Sequence, residues 1–583
     1  KGGGKGGGKG GNEPSFGAEC IKLGKALAEA NKLPGIIFCM SRKRCVEGAH
    51  ALASLNLSGG QRPGRNKQPP DRDDVDAYAA WERAEEKRKA SVVATQRALQ
   101  AMHRKHLQCY MPELGELDAY KDVIALLDKG ICYHHSGMLP VLREYVELCF
   151  QQKLVRLVFA TETLAVGVNM PARTVVFTQL DKPNDGPGKT GHRNLRPDEF
   201  WQMAGRAGRR GMDVLGYVIY APTLSVAGLR NMASATDLRE MLVGAMPAAT
   251  SKLVVDKPFV LRHLNRGYGP EVMAKTLLAD QLGREKEAMV KEVASLLSTD
   301  GPLGSVAADQ RDGLLQAAKR AGELEDKLGG KASVSGMVVS LNQKQRKAAE
   351  AELKALKEAH GEGLAELRGK QAKASLLQRD IEENSAKLAH DWGTCFRWLY
   401  DMGFVQDPDA KPPTLTARGH ACAAFADGQP LIVGTIISDQ WLRQLDLKEV
   451  CAWLCLFLKE VGSDPASDGL QKPTPSAALA EVFGATKDLA EILEVSLDES
   501  LSLMMLDWVM HKDITRVAQW VDPHMLGVFV KAVMRVASYL EVVKEVLLGL
   551  NEYEVHNRLD NHMDCLLGGL VTNESLYLRL ADY

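Results

Sequence analysis

The sequence predicts a multidomain α/β-plus-α protein: one doubly wound lobe built on a parallel sheet, followed by a long helical remainder. Three observations predict it. Between residues 20 and 222, short apolar segments alternate with helical patterns, as a parallel sheet with crossover helices requires. From 275 to 391 the chain turns charged and rich in Ala and Leu, and beyond 391 it reads as almost wholly helical.

Taken in order, the opening KGGGKGGGKGG cannot bury enough surface to fold and marks a flexible linker over 1–19. A helical GAECIKLGKALAEANKLP precedes GIIFCMS (Gly35 to Ser41), an apolar run expected as a buried parallel strand, with a helix from about Arg42. SGGQRPGRNKQPPDRDD then reads as a surface loop, and helices resume near Val75. GICYHHSGMLP leads into the helix VLREYVELCFQQ, then the strands VRLVFAT, TVVFTQL and GYVIYA. Short helices predominate from about 230 to 270. Over 275–391 two leucine-bearing arms, one with Leu314, Leu315, Leu324 and Leu328, the other with Leu353, Leu356, Leu364 and Leu367, flank a β-like ASVSGMVVSL. That pattern predicts an antiparallel helical stalk, with a solvated helix pair as the alternative.

At 583 residues the chain is long enough for three or four domains and is no small binding module. Lys and Arg number 73 against 74 Asp and Glu, so a nucleic-acid site must be a local basic surface. The 11 cysteines are scattered, with no C-x-x-C and only Cys451 and Cys455 at helical spacing, which points to reduced thiols in an intracellular protein. No apolar run reaches membrane-spanning length and no signal-peptide core opens the chain, so no membrane partner is expected. The His pair of YHHSG diverges on a strand and has no further ligands at zinc spacing, so no metal site is expected.

The chemistry is concentrated in QMAGRAGRRG, Gln202 to Gly211, which holds three arginines and three glycines just before an apolar strand. Glycine lets backbone approach a ligand closely, and arginines at i and i+3 present guanidinium forks to phosphate oxygens from one side of a helical turn. Upstream, FATETLAVGVNMPARTVVF (Phe159 to Phe177) places Thr161, Glu162 and Thr163 at the carboxyl end of a strand, where open α/β sheets put ligands.

Together these segments resemble the second RecA-like lobe of superfamily 2 helicases, and within them the superkiller-type, exosome-associated DExH RNA helicases. GIIFCMSRKRC resembles motif IV, YHHSGMLP the segment after it, FATETLAVGVNMPART motif V and QMAGRAGRRGMD motif VI. The remainder is similar too: AMPAATSKLVVDKPFVLRHLNRGYGPEVMAKTLLADQ to the winged-helix region (223–274), the stalk to a short arch-like insertion, and the chain from 392 to 583 to the C-terminal helical domain.

The resemblance implies that Gln202, Arg206 and Arg209 face the nucleotide, with Arg209 the arginine finger and Arg206 its companion. Gly205 and Asp213 join the nucleotide set, and Gly167 and Asn169 couple it to the RNA. Ser41, Arg42, Thr161 and Thr163 would hold the RNA backbone, and Arg535, in VKAVMRVASYL, falls at the ratchet-helix arginine. The family's strand-separating hairpin corresponds to DKPNDGPGKTGHRNLRPD. GPGKT within it is a decoy, because Pro183 stands where a phosphate loop needs its first Gly. No G-x-x-x-x-G-K-[ST] and no D-E-x-H is present. The expected cofactors, ATP and Mg2+, would thus be held mainly by a first lobe outside this chain, leaving the chain inactive alone. The implied function is 3′ to 5′ unwinding of RNA, on single strands or 3′ overhangs, with an RNA exosome or adaptor proteins as candidate partners. A catalytically inactive RNA-binding scaffold and a DNA or spliceosomal helicase of the same superfamily stay open.

Overall fold

A computed structural model describes residues 15–58, 74–166, 170–184, 190–225, 233–297, 308–328, 333–334, 337–338, 343–458, 473–497 and 499–578. It divides the chain into two compact units, Lys1–Ala248 with Asp427–Tyr583, and Ala249–Ala426.

The first unit begins with α1 (Phe16–Glu29), capped by the Ser15 hydroxyl accepting from the Ala18 N–H, so helix starts inside the expected 1–19 linker. Next come β1 (Gly35–Phe38), α2 (Arg42–Leu52), α3 (Val75–His106), α4 (Met111–Leu114), α5 (Asp118–Leu127), β2 (Ile131–His134) and α6 (Pro140–Gln151). β3 (Leu157–Ala160), β4 (Thr174–Phe177), β5 (Asp181–Pro183), β6 (His192–Asn194), α7 (Pro197–Ala204), β7 (Tyr217–Tyr220) and α8 (Ala235–Val243) complete this part. Most of the loop expected after Ser58 lies outside the described residues.

Five strands form a parallel sheet in the order β2-β3-β1-β4-β7. β1 to β4 are buried throughout, which is why they read as continuous apolar runs, whereas the edge strand β7 is only partly covered. The chain leaves β1 toward one edge and β3 toward the other. Right-handed crossovers therefore send the two connections to opposite faces and open a crevice outside the carboxyl ends of these neighbouring strands. Phe177 of β4 stacks on Phe200 of α7 at 5.0 Å and packs on Phe38 of β1 at 5.9 Å, fixing α7 against the sheet centre. β5 and β6 pair antiparallel, so the DKPNDGPGKTGHRNLRPD segment does carry a hairpin.

The second unit contains α9 (Lys257–Asn265), α10 (Leu277–Leu297), α11 (Ala308–Leu328), β8 (Ser333–Val334), β9 (Met337–Val338), α12 (Gln343–Asp401), β10 (Val405–Asp407), β11 (Thr414–Leu415) and α13 (Ala417–Ala423). Its arms pack as the leucine pattern anticipates: Leu314, Leu364 and Leu367 are buried with Ala317, Ala318 and Ala321, with Leu353 and Leu356 against them. The short β8–β9 pair sits at the β-like segment. α12 runs on to Asp401 across a break at Gly361, whose φ of +49° suits glycine, so the expected boundary at 391/392 falls inside a helix. Within this unit Trp392 packs edge-on against Phe259 of α9, and the His420 imidazole of α13 meets Asn265 at 2.6 Å. The small helical domain around α9 is thus completed by residues after the stalk, and does not close within 223–274.

The rest of the first unit is helical: α14 (Pro430–Ser438), α15 (Leu447–Leu454), α16 (Ala477–Ile492), α17 (Glu499–His511), α18 (Ile514–Val517), α19 (Leu526–Gly549), α20 (Tyr553–Arg558) and α21 (His562–Leu566). Two of its buried tryptophans satisfy their indole N–H groups, Trp453 on Thr486 at 3.0 Å and Trp508 on the Leu566 carbonyl at 2.8 Å. Among the described residues, no helix is long and apolar enough to cross a membrane.

Candidate phosphate-handling site

The crevice outside β1 and β3 holds a cavity of about 190 Å³ lined by Met40, Arg42, Ser136, Thr161, Glu162, Thr163, Lys182 and Pro183. Six of these arrive from strand ends, Met40 and Arg42 after β1, Ser136 after β2, and Thr161, Glu162 and Thr163 after β3, while Lys182 and Pro183 belong to β5. The Thr161 and Thr163 hydroxyls lie 2.9 Å apart, and the Thr161 N–H donates to the His134 carbonyl. Of the expected RNA-facing residues, Arg42, Thr161 and Thr163 therefore converge. Ser41, the N-cap of α2, adjoins the cavity between Met40 and Arg42 but does not line it, and its side chain makes no cap bond.

The histidine segment contributes Ser136 to the lining. His134 and His135 are both buried. His134 meets the Glu147 carboxylate at 2.7 Å, and burial together with the nearby Arg42 guanidinium pushes His135 down to about 3, so it is neutral at neutral pH. The segment docks on α19: the Gly527 N–H donates to the Gly137 carbonyl at 2.9 Å, and Lys531 donates to the Ser136 carbonyl at 2.9 Å. Arg535 lies one turn further along α19 and pairs with Asp427 at 2.7 Å. The expected ratchet arginine thus sits four residues from a lysine that touches the cavity wall.

The arginine stretch follows α7. Gln202 and Gly205 are exposed at its end. Arg206 donates to the Ala165 carbonyl, which closes the same turn, residues 162–165, that carries Thr163. Gly208 has a φ of +89°, and a Cβ there would crowd Gly216, so only glycine suits the turn into Arg209. Arg209 forks the Asp213 carboxylate at 2.6 and 2.8 Å, and the Asp213 carboxylate also accepts from the Arg209 backbone N–H at 3.1 Å. The fork holds Asp213 down at about 2, and Arg173 stands 3.8 Å away. Asp213, expected among the nucleotide residues, is here the anchor of Arg209. Gly167, Asn169 and most of GPGKT lie outside the described residues.

Lys182, Ser136 and Lys531 are not among the residues the sequence points to, and Glu162 is marked there only by its place in the turn. Lys182 follows the β4 segment directly, but only the pairing of β5 with β6 turns it toward the cavity. Among the described residues, no group of three or more His, Cys, Asp or Glu side chains is arranged to hold a metal ion.

Residues 93–211 match the Helicase conserved C-terminal domain family, and residues 413–572 match the DSHCT (NUC185) domain. The chain is 34% identical over 252 residues to the DExH-box ATP-dependent RNA helicase DExH10 of Arabidopsis thaliana, covering 43% of this chain and 21% of that protein. It is 37% identical to human Superkiller complex protein 2 over 224 residues, 38% of this chain and 14% of that protein. Human Exosome RNA helicase MTR4 is 37% identical over 199 residues, 34% of this chain and 16% of that protein. The chain thus spans about a fifth or less of these relatives. With both domains matched in order, and a parallel-sheet lobe carrying the first, the chain is similar to the C-terminal portion of superkiller-type superfamily 2 RNA helicases.

Proposed function

We propose that the complete protein is an ATP-dependent RNA helicase moving 3′ to 5′ on single-stranded RNA or from a 3′ overhang, and that this chain supplies its RNA-backbone site and its arginine pair. The observation that carries this reading is the 161–165 turn. One face of it presents Thr161 and Thr163 to the cavity, and its last carbonyl holds Arg206. A strand occupying the cavity therefore bears on the arginine stretch through a single turn of backbone.

Within that reading Arg42, Thr161 and Thr163 bind phosphate and sugar, which makes binding blind to sequence and weaker with salt. Gln202, Arg206 and Arg209 fit a triphosphate by their chemistry: a carboxamide and two guanidiniums at one helix end, beside a glycine turn without a Cβ. Bound Mg-ATP, held mainly by a first RecA-like lobe, would supply the free energy of phosphoryl transfer. Asp213 holds Arg209 oriented until an anion of higher charge draws it, and an arginine delivered from a second lobe makes hydrolysis depend on lobe closure. Association with an RNA exosome or its adaptors, and an intracellular location, belong to the same reading. The scattered cysteines, all of them free thiols, support the location.

Arg209→Ala in the complete enzyme tests the assignment. RNA-stimulated hydrolysis should fall by about 10³-fold or more while RNA affinity is held. Hydrolysis retained within a few-fold would remove Arg209 from the finger role.

A further inference from the structure

Lys182 gives the cavity a cation that already has a partner. From β5 it reaches Glu162 on the cavity rim at 2.8 Å and Glu199 of α7 at 3.2 Å. Glu199 does not depend on it: Arg193 takes both Glu199 oxygens at 2.7 Å, and the Arg196 N–H adds a bond at 2.9 Å. Glu162 stands differently. Its side chain is 45% exposed, that of Lys182 only 14%, and the pair lines a cavity that also presents Arg42, Thr161 and Thr163. A carboxylate there occupies, against Lys182, the place an oxyanion of the strand would take.

We propose that Glu162 is an internal stand-in for a backbone phosphate, holding Lys182 until a phosphate of the bound strand displaces it and takes Lys182 as its own ligand. This rests on the reading that the cavity receives the RNA backbone. The exchange needs no backbone movement, because an ammonium on a flexible stem changes partner by rotation and the half-exposed carboxylate turns to water. It has two consequences. Competition from Glu162 keeps each phosphate contact weak, as a motor that must release its strand requires. Exchange also unties the hairpin from the 161–165 turn, whose last carbonyl holds Arg206.

Binding of a labelled oligouridylate to the chain, measured between roughly 50 and 200 mM salt, tests this. The variants are Glu162→Gln, Lys182→Gln, the two combined, and Arg42→Ala, each checked for native circular dichroism. Glu162→Gln should tighten binding several-fold. Lys182→Gln should weaken it and make the slope of log K against log salt shallower by about 0.7, one phosphate contact. The gain from Glu162→Gln should vanish in the Lys182→Gln background, since Glu162 acts only through that lysine. A gain that persists undiminished there, or an unchanged slope, while Arg42→Ala still weakens binding, overturns the exchange and leaves the cavity reading standing. Wild-type binding by Arg42→Ala overturns the cavity reading and the exchange with it.

Discussion

Asp213 and Glu199 are the carboxylates on which the arginine stretch and the hairpin are hung. The Arg209 fork holds Asp213 at about 2; burial pushes Glu199 up, but its bonds to Arg193, Arg196 and Lys182 outweigh that and hold it at about 2. Both are depressed in the fold, so their stabilisation is complete above the unfolded carboxylate range, near pH 4, and is lost as pH falls through about 2. Asp213→Asn should destabilise the lobe by about 2 kcal/mol at neutral pH, as expected for a lost bond to a charged partner. It should also flatten the acid limb of the stability curve, read by urea titrations from neutral pH downward. An acid limb identical to that of the wild type would show that the fork contributes nothing to folding.

At the scale of elements, the contact between the HHSGM segment and α19 joins the cavity to the helical part of the first unit. A Cβ on Gly527 would lie 1.8 Å from the Met138 carbonyl oxygen, and one on Gly137 would lie 2.5 Å from the Met525 sulfur. The backbones touch because both residues are glycine. Gly527→Ala should therefore cost about 3 kcal/mol and loosen RNA binding through displaced Lys531 and Arg535, visible as a lowered Tm with weaker oligonucleotide affinity. An unchanged Tm would contradict the close approach. This juncture was not legible in the sequence. The buried strands and the stalk leucines were, because periodicity and apolar runs report burial directly. The segments YHHSG and HMLGV lie almost 400 residues apart, and nothing local tells either that the other will cover it. Lys182 was missed for the same reason: its role comes from how β5 pairs with β6, not from its neighbours in sequence. The boundary at 391/392 falls inside a helix because the part of α12 after Gly361 runs on to Asp401, and composition changes along it where structure does not.

At the scale of the whole molecule, the 161–165 turn joins the two candidate phosphate sites, the cavity and the arginine stretch, and the sequence has no phosphate loop and no D-E-x-H. In the proposed function the arginine pair serves a nucleotide held by another lobe. The decisive measurement is ATP hydrolysis by this chain alone, with and without single-stranded RNA at low salt, and with RNA binding measured in parallel. The expected result is bound RNA and no turnover in either condition. Turnover stimulated by RNA would contradict it, and would mean that the chain holds a complete nucleotide site of its own.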